Sequence, residues 1–252
     1  MNSKNITKVN VWITRMFQSN KEEETSYDWN RHCICGEFSC HEDSCNAEIT
    51  KEDIYRQLVL IDALYSTNVY RMRKFGLKEI TDAIWELCKD ANSDKHSLGI
   101  LSKKLIATQP LNQEVKNTFS LSYGNPAGKA TSLLSKYFYF VAIVCPQENW
   151  GFPIYDRIVH DLLRPLEKFI GIRPLTPANK IDQSASTFDI DVYRAGLKRI
   201  IDILENNNPT LWNTSGKQKF DILDYFLWHI GKAKGKTNSS PTRKIYDTIV
   251  SQ

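Results

Sequence analysis

The sequence predicts an all-α protein. Apolar residues recur at intervals of three and four along most of the chain after residue 50, which is the spacing of one buried helix face. No segment alternates between apolar and polar residues for long enough to indicate a strand, and the sequence contains no internal repeat. At 252 residues, with 41% hydrophobic and 25% charged residues, the chain is long enough to form a core that does not depend on disulfides.

The first strongly periodic segment begins near residue 51. Thr50 and Asp53 are spaced as a capping pair at its start. Its apolar face consists of Ile54, Leu58, Ile61, Leu64 and Tyr65. Similar periodicity predicts helices over 77–90, 98–107, 129–144, 156–170, 189–206 and 217–232.

Composition divides the chain into three parts. Residues 1–50 form an N-terminal extension that ends in a cysteine-rich knot, residues 51–232 form a helical domain, and residues 233–252 form a basic C-terminal tail. Within the helical domain, glycine and proline predict a turn over 120–128 and a linker over 169–177.

The charge balance permits a polyanionic partner without requiring one. The net charge is +4 and the pI is about 8.6. No apolar run approaches the roughly 20 residues that cross a bilayer, and the N-terminus lacks the apolar stretch of a secretory signal. We therefore expect a cytoplasmic protein without a membrane partner, whose cysteines are mostly reduced thiols or metal ligands. The sequence does not predict an oligomeric state.

Several enzyme classes lack their motifs in this chain. It contains no phosphate-binding Walker loop, no dinucleotide fingerprint, no His-Glu-x-x-His and no nucleophile elbow. We therefore expect no nucleotide cofactor.

The segment from Arg31 to Cys45 holds four of the six cysteines and two of the five histidines. Thiolate and imidazole ligands at this density suit tetrahedral zinc, although the spacing differs from the separated Cys-x-x-Cys pairs of zinc fingers. The simplest ligand set is Cys33, Cys35, Cys40 and Cys45, with His32 or His41 as substitutes. Such a site would be structural because all its ligands are local. The alternative is a loop with free thiols.

A lysine in an apolar helix gives the sharpest chemical signal. Lys136 stands in Ser135-Lys-Tyr-Phe-Tyr-Phe-Val-Ala142, and Asp156 follows a Pro-Ile-Tyr turn twenty residues later. An amine in apolar surroundings is costly to keep charged, and an uncharged amine is a nucleophile. A nearby carboxylate could stabilise the positive charge that develops in its reaction.

Residues 124–156 resemble the helix-hairpin-helix DNA glycosylase superfamily, in particular its 8-oxoguanine DNA glycosylase-fold branch. The matching pieces are Gly124-Asn-Pro-Ala-Gly128 as the hairpin, Lys136 on the following helix and Pro153-Ile-Tyr-Asp156 as the turn. In familiar members the lysine follows the hairpin more closely than Lys136 does. Lys129, directly after the hairpin, is therefore an alternative nucleophile.

The resemblance implies a helical glycosylase-like domain over 51–232 that excises a damaged or modified base from DNA. Bacterial defence against phages with modified DNA is one setting for this activity. Lys136 would attack the sugar C1′, expel the base and form a Schiff base, which adds AP-lyase activity, while Asp156 would stabilise the developing charge. The extruded base would stack on aromatic side chains, and the phosphates would contact the hairpin and nearby cations. The base-pocket candidates are Tyr137, Phe140, Trp150 and Tyr155, and the DNA-binding candidates are Gly124, Gly128, Lys129 and Arg157.

Each of these residues also has a structural interpretation. A lysine on an amphipathic helix usually extends its amine to the solvent, and an aspartate after such a turn usually caps the next helix. A dense aromatic run is more often core than a stacking surface. The alternative function is therefore a non-catalytic helical module that binds DNA or protein.

Overall fold

The computed structural model describes residues 1–19, 26–39, 45–65, 76–120, 127–174, 190–214, 217–237 and 240–251. Within these ranges the backbone forms helices and no strand, apart from one isolated bridge between Lys89 and His96. The predicted all-α class is confirmed.

The helices are numbered in chain order, and a short 3-10 helix, Ala233–Gly235, lies between the last two. Their bounds are α1 (Ser3–Ser19), α2 (Ser26–Phe38), α3 (Lys51–Leu64), α4 (Leu77–Leu87), α5 (Leu98–Lys104), α6 (Gln113–Ser120), α7 (Ala127–Val144), α8 (Arg157–Phe169), α9 (Ile190–Asn207), α10 (Pro209–Thr214), α11 (Lys219–Lys232) and α12 (Pro241–Val250).

All seven helices expected from periodicity are present, as α3, α4, α5, α7, α8, α9 and α11. The predicted start of α3 is also confirmed, because the Thr50 and Asp53 side chains each bond the other residue's backbone N–H. Helix α12 lies in what the sequence suggested to be a loose tail. Pro241 stands in its first turn, and Ile249 is fully buried where α12 packs against α8 and α11.

The chain packs as two compact units. The terminal unit is drawn from Met1–Glu23, Tyr155–Lys180 and Asp191–Gln252, and the central unit from Glu24–Ile154 and Ile181–Ile190. The predicted N-terminal extension is shared between them, since α1 belongs to the terminal unit and α2 to the central unit.

Helix α7 forms the core of the central unit. It packs against α2, α3, α5 and α6, and residues 133–142 of α7 are all buried. A helix that is apolar on every side is stable only when other elements surround it. At its end, Cys145 forms a disulfide with Cys45, with their Cα atoms 5.3 Å apart. The neighbouring α5 approaches so closely that Gly99 N donates to the Cys45 carbonyl at 2.8 Å.

The terminal unit is built around α8 and α11. Gly231 lets α11 approach Ile158 of α8 at a distance that no Cβ would allow. Helix α8 ends in a Schellman motif: Gly171, at φ 75°, donates to the Lys168 carbonyl, and Ile172 donates to the Glu167 carbonyl. The glycine predicted to break the chain here therefore ends α8 through its left-handed backbone.

Candidate functional site

Lys136 is buried in the central unit. The residue is only 4% exposed, so its side chain does not extend into the solvent as that of a surface lysine would. Its Nζ donates to Ser132 Oγ at 2.5 Å, one helical turn earlier, and lies 5.4 Å from the centre of the Tyr65 ring. Among its contacts are therefore a hydroxyl oxygen and an aromatic ring.

The sequence around Lys136 explains this burial. Leu133 and Phe140 stand three and four residues away on α7, and both are fully buried. Tyr65 ends α3 and packs on Phe140, with ring centres 6.3 Å apart, as well as facing Lys136. Residues from both α3 and α7 therefore surround the amine.

The residue at which α7 begins decides whether Gly128 and Lys129, the end of the predicted hairpin and the alternative nucleophile, belong to this helix. Helix α7 begins at Ala127, so Gly128 and Lys129 belong to its first turn and not to a preceding hairpin. Gly124 lies outside the described residues, as do the side-chain contacts of Lys129. The choice between Lys136 and Lys129 stays a prediction.

The aromatic base-pocket candidates of the central unit are packed in its core. Tyr137 and Phe140 are fully buried and contact Phe38 of α2, at 5.1 and 5.8 Å between ring centres. Tyr137 also donates to Gln57 Oε1 at 2.7 Å, and burial raises its pKa well above the usual value. Trp150 is 8% exposed. These rings serve as core residues in this conformation, and a role in binding a base stays a prediction.

Asp156 belongs to the terminal unit, where it caps α8. Its Oδ1 accepts a hydrogen bond from Ile158 N at 2.7 Å, and its backbone is extended, as an N-cap requires. A carboxylate at a helix N-terminus is also favoured by the helix dipole. Arg157, the first residue of the helix, is exposed and can reach an external anion. The expected capping role of Asp156 is confirmed.

The cap gives a stability prediction. Asp156→Ala should lower the free energy of unfolding by about 1 kcal/mol, because the N–H of Ile158 in the first turn loses its acceptor. Asp156→Asn should retain most of that stability, since an asparagine oxygen caps equally well. Urea denaturation of the three proteins tests this, and equal stability of the alanine variant and the wild type would contradict the capping role.

Beside this cap, three titratable side chains form a buried cluster that the sequence did not reveal. Tyr155, His160 and Tyr193 lie 5.5 to 6.3 Å apart between ring centres. Burial raises the pKa of Tyr155 to about 12 and that of Tyr193 well above 10. Burial also lowers the pKa of His160, against the opposing effect of Asp161. The predicted base-pocket residue Tyr155 is therefore a neutral member of a packed cluster.

The cluster makes the terminal unit sensitive to acid. The pKa of His160 is below 6.5 when folded, so the unfolded chain binds its proton first as the pH falls. The contribution of neutral His160 to the free energy of unfolding is complete above pH 6.5. It is lost as the pH falls from 6.5 through the lower pKa of the folded state. The melting temperature of the wild type should drop when the pH is lowered from 7.5 to 5.5, and we expect this drop to be smaller in His160→Gln. An equal drop in the two proteins would show that His160 does not cause the acid sensitivity.

The predicted zinc ligands are not gathered at one point among the described residues. Cys33 and Cys35 are half-buried and lie two positions apart on α2, and residues at that spacing do not face each other on a helix. Cys45 is bonded to Cys145, which occupies its sulfur while the disulfide is intact. Cys40 and His41 lie outside the described residues. In the described part of the chain, no three His, Cys, Asp or Glu side chains are placed to hold a metal ion, and the zinc site stays a prediction.

An open cavity of about 970 Å³ lies beside α5 in the central unit. It is lined by Lys103 and Lys104, but Lys104 forms an ion pair with Glu114 at 2.9 Å. Glu86 and Asp90 also line it. The balance of charges gives this cavity no preference for a polyanion.

Comparison with known proteins leaves the family open. The chain matches no protein-family model, no curated protein and no solved structure at a significant level. Among the described helices, none combines the length and the apolar character needed to cross a bilayer.

Proposed function

We propose that this protein is a DNA glycosylase with AP-lyase activity that uses Lys136 as its nucleophile. The observation that supports the proposal is the burial of the Lys136 amine between Ser132 and the Tyr65 ring. Removing a charged amine from water costs several kcal/mol, and a charged amine is not nucleophilic. Burial of an amine disfavours its charged form, and the uncharged amine is the nucleophile that the proposal needs. A chemical role explains why it is there.

The proposed reaction needs no cofactor. The Nζ lone pair forms a bond to the sugar C1′ while the glycosidic bond breaks, and the base leaves with the bonding electrons and takes up a proton. Loss of a proton from the nitrogen and opening of the sugar ring give a Schiff base between Lys136 and C1′. The role that the resemblance implies for Asp156, stabilising the positive charge that develops on the sugar, stays a prediction.

The amine must be released before it can attack. Its bond to Ser132 Oγ stabilises the resting rotamer, and Tyr65 covers it. Rotation about the lysine side chain breaks its hydrogen bond to Ser132 Oγ, and a typical hydrogen bond contributes about 1 kcal/mol to stability. Entry of an extruded nucleotide would supply this energy through stacking and phosphate contacts.

The proposal is tested with duplexes that each carry one altered base, such as 8-oxoguanine, uracil or hypoxanthine, and with an abasic duplex. We expect release of at least one base, and a covalent protein–DNA adduct when borohydride reduces the Schiff base. Asp156→Asn, which keeps the helix cap, should lose base release while remaining folded. Binding of DNA without base release or adduct on the whole panel would favour the non-catalytic module.

A further inference from the structure

A row of aromatic rings lies on one face of α11 in the terminal unit. Tyr225, Trp228, His229 and Lys232 follow one another at spacings of three, one and three residues, which places them on one side of the helix. The ring centres of Tyr225 and His229 are 4.2 Å apart, and those of Trp228 and His229 are 5.1 Å apart. Phe17 from α1 extends the row by stacking on Tyr225 at 5.2 Å.

Phe17, Trp228 and His229 are reachable from the solvent, although residues 220–227 of α11 are buried. Tyr225 is 5% exposed, whereas Phe17, Trp228 and His229 are half-buried. Phe226 in the same helix is, by contrast, fully buried. The α11 surface, comprising Phe17, Tyr225, Trp228 and His229, therefore presents ring edges and faces to a partner.

Lysines flank this surface at both ends. Lys217 Nζ lies 5.3 Å from the Phe17 ring centre and 5.6 Å from that of Tyr225, and Lys232 Nζ lies 5.2 Å from the Trp228 ring. Between Tyr225 and Lys236 the sequence contains no acidic residue. The two aspartates of α11, Asp221 and Asp224, are buried. Among the described residues, the charged groups that contact these rings are the two lysines.

We propose that the α11 surface binds single-stranded DNA. Half-buried rings between flexible lysines are the combination that binds unpaired bases by stacking and phosphates by charge. A duplex hides the faces of its bases, so it could use the lysines but not the rings. This proposal is independent of Lys136 chemistry, because every residue involved lies in the terminal unit.

The proposal also assigns roles to the two kinds of side chain. Trp228 and Phe17 supply the stacking surfaces, and each base stacked on such a ring contributes roughly 1–3 kcal/mol. Lys217 and Lys232 exchange their contacts with the rings for contacts with phosphates. Each phosphate contact made by a lysine makes the slope of log affinity against log salt concentration steeper, that is more negative, by about 0.7 on a single strand.

The test is the fluorescence anisotropy of a labelled oligothymidylate titrated with the full chain, compared with a matched duplex and with an oligoglutamate peptide. We expect the single strand to bind most tightly. Trp228→Ala should weaken that binding roughly 5- to 150-fold, and Trp228→Phe should restore most of it. In the double variant Lys217→Gln/Lys232→Gln, the slope of log affinity against log salt concentration should become shallower by about 1.4, because two phosphate contacts are lost.

Lys8→Gln is the matched control, because it removes one exposed charge on α1 without touching a ring. It should leave binding of the single strand close to that of the wild type. Tighter binding of the duplex or of oligoglutamate, or unchanged affinity in Trp228→Ala, would overturn the proposal. If Trp228→Ala fails to fold, an unchanged salt slope in the lysine double variant overturns it instead.

Discussion

Lys136→Met should abolish the borohydride-trapped adduct and reduce base release to the background rate. Methionine has nearly the length of lysine and fills the same space, but it has no nitrogen to attack C1′. Its side chain is close to lysine in volume, so the variant should still fold. Loss of base release and of the adduct in a folded variant is the result that the proposed nucleophile predicts.

The matched control for this variant is Lys129→Met. It removes the same functional group seven residues earlier on the same helix, and it should leave the trapped adduct intact. An adduct that persists in Lys136→Met and disappears in Lys129→Met would move the nucleophile to Lys129. Melting temperatures of both variants exclude misfolding as the cause.

Trp212→Ala should lower the free energy of unfolding of the terminal unit by about 3–5 kcal/mol. Trp212 is fully buried, and its Nε1 donates to Asn10 Oδ1 at 3.2 Å. Asn10 in turn donates to the Leu204 carbonyl at 2.8 Å, so one network joins α1, α9 and α10. The substitution opens a large cavity and leaves a buried acceptor without its donor.

Urea denaturation followed by circular dichroism measures this loss. Trp212→Phe, which keeps an aromatic ring but removes the N–H donor, should lose less than the alanine variant. A loss below about 1 kcal/mol in Trp212→Ala would show that α1 and α10 are peripheral to the fold.

Local signals predicted the helices that carry the candidate site. The capping pair at Thr50 and Asp53 and the glycine at 171 act within one helical turn, so the sequence alone contains their geometry. Helix α1 shows the limit of such signals. Its apolar residues recur at helical spacing, but the ring of Phe17 stacks on Tyr225 of α11, a partner that periodicity cannot identify.

The candidate site shows the same division between local and distant contacts. The apolar neighbours of Lys136 in sequence predicted its burial, but not Tyr65, which comes from another helix. The cluster of Tyr155, His160 and Tyr193 joins α9 to the start of α8, and the pairing of Cys45 with Cys145 spans 100 residues. Such contacts depend on how helices pack, and no short motif records them.

The most direct test of the proposed chemistry is to identify the amino acid that becomes attached to DNA. The wild-type protein would be trapped with borohydride on its best substrate, digested with protease and nuclease, and analysed by mass spectrometry. We predict that the modified peptide carries the reduced sugar on Lys136. Modification at Lys129 alone, or at no residue while an adduct is present on the gel, would contradict the assignment of Lys136 as the nucleophile.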